Sequence, residues 1–203
     1  MIVDDAAIVG PKNCQLESWA ADTGFSREYW AVPACNLGGN LELAIGGARI
    51  NAAGQRDVIG VLQGKTLLKP LNDNGWGIGL VFGSQTVLEK GGLGDLYTTV
   101  PVSFSFADSK VLLHMNAGLV RVKSSGRSIG TYGIGAEFGT TERSTFIIEA
   151  AGQEGDKPLF QLGVKYWLMR DHVQVDASYG KRMNTPGADR IITPGLVFFT
   201  NNR

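Results

Sequence analysis

No stretch of the chain approaches the roughly 18 consecutive apolar residues that a membrane-crossing helix needs, so a transmembrane helix is excluded. Net charge is missing as well. The 19 basic residues balance 19 acidic ones, which leaves no field to draw in nucleic acid or an acidic polymer. Proline is scarce at 7 and histidine scarcer at 2. His114 and His172 fall on different predicted strands without a ligand cluster, so neither a metal nor another cofactor is expected. HExxH, CxxC, P-loop and GxSxG elements are absent, which removes the common hydrolase and nucleotide signatures. The opening, MIVDDAAIVGPKN, has no basic region and no adequate apolar region, so it is not a signal peptide. If the protein is exported, the expectation is a mature chain whose leader has been removed.

What the chain does have is glycine, 28 residues of it, and strict alternation. From Phe160 to Gly180, Phe160, Leu162, Val164 and Tyr166 alternate with Gln161, Gly163, Lys165 and Trp167. Past Arg170-Asp171, Val173, Val175, Ala177 and Tyr179 alternate with Gln174, Asp176, Ser178 and Gly180. A period of 2 means strands with one apolar and one polar face. A tight turn at Arg170-Asp171 sets Lys165 opposite Asp176, a predicted inward ion pair, and Trp167 opposite Gln174. Elsewhere large residues alternate with glycine: Trp76, Ile78, Leu80 and Phe82 against Gly77, Gly79 and Gly83, and Tyr132, Ile134, Ala136 and Phe138 against Gly133, Gly135 and Gly139. Bulk on one face and glycine on the other suits a closed sheet with an apolar medium outside. It does not suit a sandwich, whose inner faces must fill a core about 10 Å thick.

Twelve strands are predicted, roughly 14–20, 28–35, 40–50, 57–69, 75–84, 95–106, 111–122, 129–139, 144–152, 159–169, 172–180 and 190–199. Connections after the sixth, eighth and tenth are short. Those after the fifth, seventh, ninth and eleventh (Lys181 to Arg190) are longer, the asymmetry of periplasmic turns and external loops. The fold class is therefore an all-β, up-and-down antiparallel transmembrane β-barrel of about 12 strands. It forms one outer-membrane domain over 1–203 with a tail at 1–12. A ten-stranded barrel with the N-terminal hairpin outside is the alternative. Trp76, Tyr97, Tyr132, Phe146, Tyr166 and Tyr179 are assigned to outward aromatic girdles. Cys14 and Cys35 flank a hairpin turning at Thr23-Gly24-Phe25, and numbers that sum to 49 pair them directly. A cross-strand disulfide and an oxidising compartment follow.

The segments QLGVKYWL, RDHVQVDASYG and ITPGLVFF, between Gln161 and Phe199, resemble the C-terminal strands of Gram-negative outer-membrane barrels. The likeness is to the MetA-type barrels associated with phenol-degradation pathways, and it covers about residues 97–199. It implies an outer-membrane location, lipid as the surrounding partner and, at family level, transport.

Parity places Glu17, Glu42, Gln63, Lys65, Ser103, His114, Asn116, Glu137, Glu149, Gln161, Lys165, Gln174 and Asp176 on the inward face. Acids outnumber lysines there, so the interior is net negative if all ionise. Three functions fit such a lumen. In one, a monomeric narrow channel for small solutes uses Glu17, Glu42, Lys65, His114, Asn116, Glu137, Glu149, Lys165 and Asp176 as lining and selectivity elements. In another, these side chains form an ion-paired plug that closes a structural barrel. In the third, Ser103 faces His114 across a hairpin and, with Glu137, makes a nucleophile, base and orienter. One Ser–His adjacency is thin support, so no enzymatic activity is expected. A soluble lipocalin-like barrel remains the non-membrane alternative, and it requires bulk inside and polarity outside.

Overall fold

The structure, a computed structural model, describes residues 1–182 and 190–200. Among them lie twelve strands: β1 (Cys14–Asp22), β2 (Ser26–Asn36), β3 (Leu41–Ala52), β4 (Gln55–Lys69), β5 (Trp76–Val87), β6 (Asp95–Phe106), β7 (Val111–Arg121), β8 (Ser128–Gly139), β9 (Ser144–Gln153), β10 (Leu159–Met169), β11 (Val173–Arg182) and β12 (Arg190–Phe199). Each pairs antiparallel with its sequence neighbours, and β1 pairs with β12 to close an up-and-down barrel. Closure leaves no edge strand, so the ladder groups are satisfied within the wall. The first hairpin belongs to that wall, with β1 against β12 and β2 against β3, which overturns the ten-strand alternative.

The predicted registers hold. Cys14 faces Cys35 and Trp19 faces Trp30, and the two cysteines form a disulfide. Ser103 faces His114, and Lys165 faces Asp176. The turn between β10 and β11 is wider than expected, spanning Arg170 to His172 with a register shift at Trp167/Met169. Arg-Asp lacks the Asn-Gly chemistry of a two-residue hairpin, and Asp171 adopts a left-handed φ of 60° in a longer loop.

The apolar parity faces outward. Ile45 is 68 % exposed, Leu162 52 % and Tyr179 53 %, while Glu149 on the inner face is 2 % exposed. This is the reverse of the orientation a soluble lipocalin-like barrel requires. Trp76, Tyr132, Tyr166 and Tyr179 lie on the outer face as expected. Tyr97 does not. It points inward and donates its hydroxyl to Gln63 Oε1 at 2.9 Å. Gly83 makes the room, since a Cβ there would fall 2.5 Å from the Tyr97 ring. In a strand, one residue of offset exchanges the two faces, and Tyr97 is one place from the outward Leu96.

The start of β1 and the end of β12 share one end of the barrel with the connections 37–40, 70–75, 107–110, 140–143 and 170–172. The other end carries 23–25, 53–54, 88–94, 122–127 and 154–158. The expected length asymmetry holds from β5 to β11. It reverses earlier, where 23–25 and 53–54 are tight and 70–75 is long. The loop placed between Lys181 and Arg190 lies, from 183 to 189, outside the described residues.

Candidate functional site

The lumen is not lined by strands alone. The segment before β1 runs up inside the barrel, so residues 1–12 are not a free tail. Lys12 N–H donates to Asn36 O at 2.7 Å and Asn36 N–H to Asn13 O at 2.9 Å, which anchors the segment beside the disulfide. From there Val9 N–H donates to Glu42 Oε2 at 2.8 Å, and Asn36 Nδ2 donates back to Val9 O at 2.9 Å. Ala6 N–H donates to Ser103 Oγ at 2.8 Å. Asn116 brackets Asp4, accepting from its N–H at 2.7 Å and donating to its carbonyl at 2.8 Å. Glu149 accepts from Ile2 N–H at 3.2 Å, Val3 N–H at 3.1 Å and Gln161 Nε2 at 3.3 Å.

These contacts answer the charge problem posed by the inward acids. A buried carboxylate is costly unless it is paired or hydrogen-bonded. Glu42 and Glu149 obtain backbone donors from the segment. The segment also brings two acids of its own, and Lys65 meets both, with Nζ 2.7 Å from Asp4 Oδ1 and 2.9 Å from Asp5 Oδ1. Apolar side chains fill the remaining space. Val3 and Ala6 are buried at 2 % and 0 % exposure. Val3 sits against β8, where a Cβ at Gly133 would come within 3.0 Å of it and one at Gly135 within 3.3 Å. The inward glycines of β8 are thus the seat of the segment.

The predicted Lys165–Asp176 ion pair does not form, although the two residues are register partners. Lys165 Nζ turns instead to Glu137 Oε1, 2.8 Å away on β8. Glu137 is the more buried acid and already stands 3.5 Å from His114 Nε2, so a cation there relieves more unfavourable burial. Ser103, His114 and Glu137 do come together, with Ser103 Oγ 2.7 Å from His114 Nδ1. Ser103 and His114 are 0 % and 1 % exposed, and Ala6 covers the serine, so no substrate reaches Oγ with the segment in place.

The nine candidate lining residues therefore divide into two groups. His114, Asn116 and Glu149 lie beneath the segment on the β7–β9 wall, with Glu137 on the same wall between His114 and Lys165. Glu17, Glu42, Lys65, Lys165 and Asp176 border a cavity of about 760 Å³ that the segment leaves along the opposite wall. That cavity reaches from Asn13 and Asp171 at the terminus end to Trp19, Trp30, Gln85 and Tyr97 deeper in the barrel. No strand or helix period in residues 1–9 marks the path of the segment. The excess of inward glycine and the shortage of inward cations were its traces.

The arrangement defines a class: a twelve-stranded antiparallel barrel whose lumen is narrowed by its own N-terminal segment. The chain belongs to the family described as uncharacterised conserved protein UCP029691, whose pattern matches residues 1–198. No curated protein matches it. Among solved structures, the KdgM porin aligns at a TM-score of 0.71 over 93 % of this chain and 99 % of its own, with 7 % identity. A second KdgM structure, solved in complex with disordered oligogalacturonate, aligns at 0.70 over the same shares. The NanC porin aligns at 0.67 over 91 % of this chain and 98 % of its own, with 10 % identity. At these identities the likeness is one of fold.

Proposed function

We propose that the protein is a monomeric outer-membrane channel for small molecules, narrowed but not closed by residues 1–10. The observation that carries this is the cavity beside the segment. Its volume of about 760 Å³ is in the range that holds a small organic ligand, and it extends along the barrel wall from the terminus end. The outward apolar face supports residence in lipid, and the two porin folds and the MetA-type likeness of Gln161–Phe199 support the same location. The lining acids and lysines then act as selectivity elements. Catalysis has no part in this reading, because the Ser103–His114 pair is sealed.

Liposome swelling and planar-bilayer conductance test the channel. Small solutes are expected to enter liposomes faster than in protein-free controls, with a low single-channel conductance that rises when residues 2–9 are deleted. Should that deletion fail to fold, Glu149→Ala, which loosens the segment, takes its place. Absence of flux in both the parent and the loosened protein refutes the channel and leaves the ion-paired structural barrel. Heat-modifiable migration on gels tests membrane residence, and a protein that stays monodisperse without detergent refutes it.

A further inference from the structure

The open wall of the lumen has a chemistry of its own. Asp176 on β11, Gly195 on β12, Trp19 on β1 and Trp30 on β2 face one another in turn across four neighbouring strands. The two indoles stack with centroids 5.3 Å apart and planes 6° from parallel. Trp30 is pinned by its Nε1–H, which donates to Glu28 Oε2 at 2.9 Å. A Cβ at position 195 would fall 2.5 Å from Asp176 Oδ2, so the carboxylate lies over the glycine, beside the indole pair. Glu17 is two residues from Trp19 on the same face, and both line the cavity.

These two carboxylates have little to neutralise them. Asp176 takes no hydrogen bond or ion pair among the described residues, and Glu17 accepts only from Gln15 Nε2, at 3.1 Å. The inward lysines are committed elsewhere, Lys65 to Asp4 and Asp5 and Lys165 to Glu137. An anion entering here meets like charge at short range. A cation meets two carboxylates, and its apolar body meets an aromatic surface, the combination by which aromatic sites hold alkylammonium groups.

We propose that this wall is a subsite for a small organic cation, an alkylamine or quaternary ammonium, with Glu17 and Asp176 taking the charge and Trp19 and Trp30 the apolar body. The subsite depends on the channel reading only for access from solution, so binding and flux are measured separately. The full-length protein in detergent is titrated with choline, with its neutral isostere 3,3-dimethyl-1-butanol and with 3,3-dimethylbutyrate, following tryptophan fluorescence and heat release. Choline is expected to saturate, the alcohol to bind at least about tenfold more weakly and the acid not to bind. In Glu17→Gln with Asp176→Asn, choline binding is expected to fall about tenfold or more while the alcohol is unaffected. Trp19→Leu, which keeps both carboxylates, is expected to weaken choline severalfold and serves if the double variant does not fold. Equal binding of choline and the alcohol, or choline binding unchanged in the variants, overturns the subsite. Choline binding in detergent without liposome flux refutes the channel alone, and flux without cation preference refutes the subsite alone.

Discussion

Replacing Glu149 with alanine probes whether the N-terminal segment is held as described. Glu149 is 2 % exposed and accepts two backbone N–H groups from the segment, Ile2 at 3.2 Å and Val3 at 3.1 Å. Hydrogen bonds to a charged partner contribute about 1.5–3 kcal/mol each. Water from the adjacent cavity replaces part of that, so the lower figure applies to each and the expected loss is about 3 kcal/mol. At about 1.4 kcal/mol per factor of ten, docking weakens about a hundredfold. Amide exchange over residues 2–9, read by mass spectrometry in detergent, should accelerate by that factor, while amides of β6–β8 keep their protection. Glu149→Gln retains one acceptor oxygen and should fall between the two. Exchange over 2–9 that is unchanged in Glu149→Ala, or already at unstructured rates in the parent, refutes the lumenal placement.

Two further outcomes bear on the wall. Lys165→Met strips the ion pair from buried Glu137 and should cost about 2–3 kcal/mol, less than the ~3–5 kcal/mol of a fully buried pair because Lys165 is 20 % exposed. Asp176→Asn should stay within about 0.5 kcal/mol, since no ion pair is lost; urea unfolding of both variants in detergent decides the matter, and the opposite ranking refutes the assignment of Lys165 to Glu137. Cys14→Ser with Cys35→Ser opens a link of sequence separation 21 and should cost about 3 kcal/mol, seen as a lower midpoint of gel-monitored heat unfolding. An unchanged midpoint, or free thiols in unreduced peptides, refutes the bond.

Much of the wall was legible from local pattern. Alternation with a period of 2 located the strands to within a few residues. Hairpin symmetry then paired Cys14 with Cys35, Ser103 with His114 and Lys165 with Asp176, because partners in an antiparallel hairpin are set by the turn between them. β6, β10 and β12 match their predicted bounds. Period and turn are properties of neighbours in sequence, which is why sequence sufficed.

What filled the lumen was a different kind of question. Lys165 passes over its cross-strand neighbour Asp176 for Glu137, two strands away, because the more buried acid gains more from a cation. Tyr97 shares the inward parity of Ser103 on β6, and it reaches Gln63 on β4 because Gly83 on the strand between leaves it space. MIVDDAAIV carries no strand or helix period that assigns it a place. It enters the barrel because Glu42, Ser103, Asn116 and Glu149, brought together from β3, β6, β7 and β9, offer acceptors to its backbone, while Gly133 and Gly135 leave a hollow for Val3. Alternation determined which residues face inward. Only closure of the barrel set the distances among them, and those distances decided which charges pair, what the segment covers and where a passage remains.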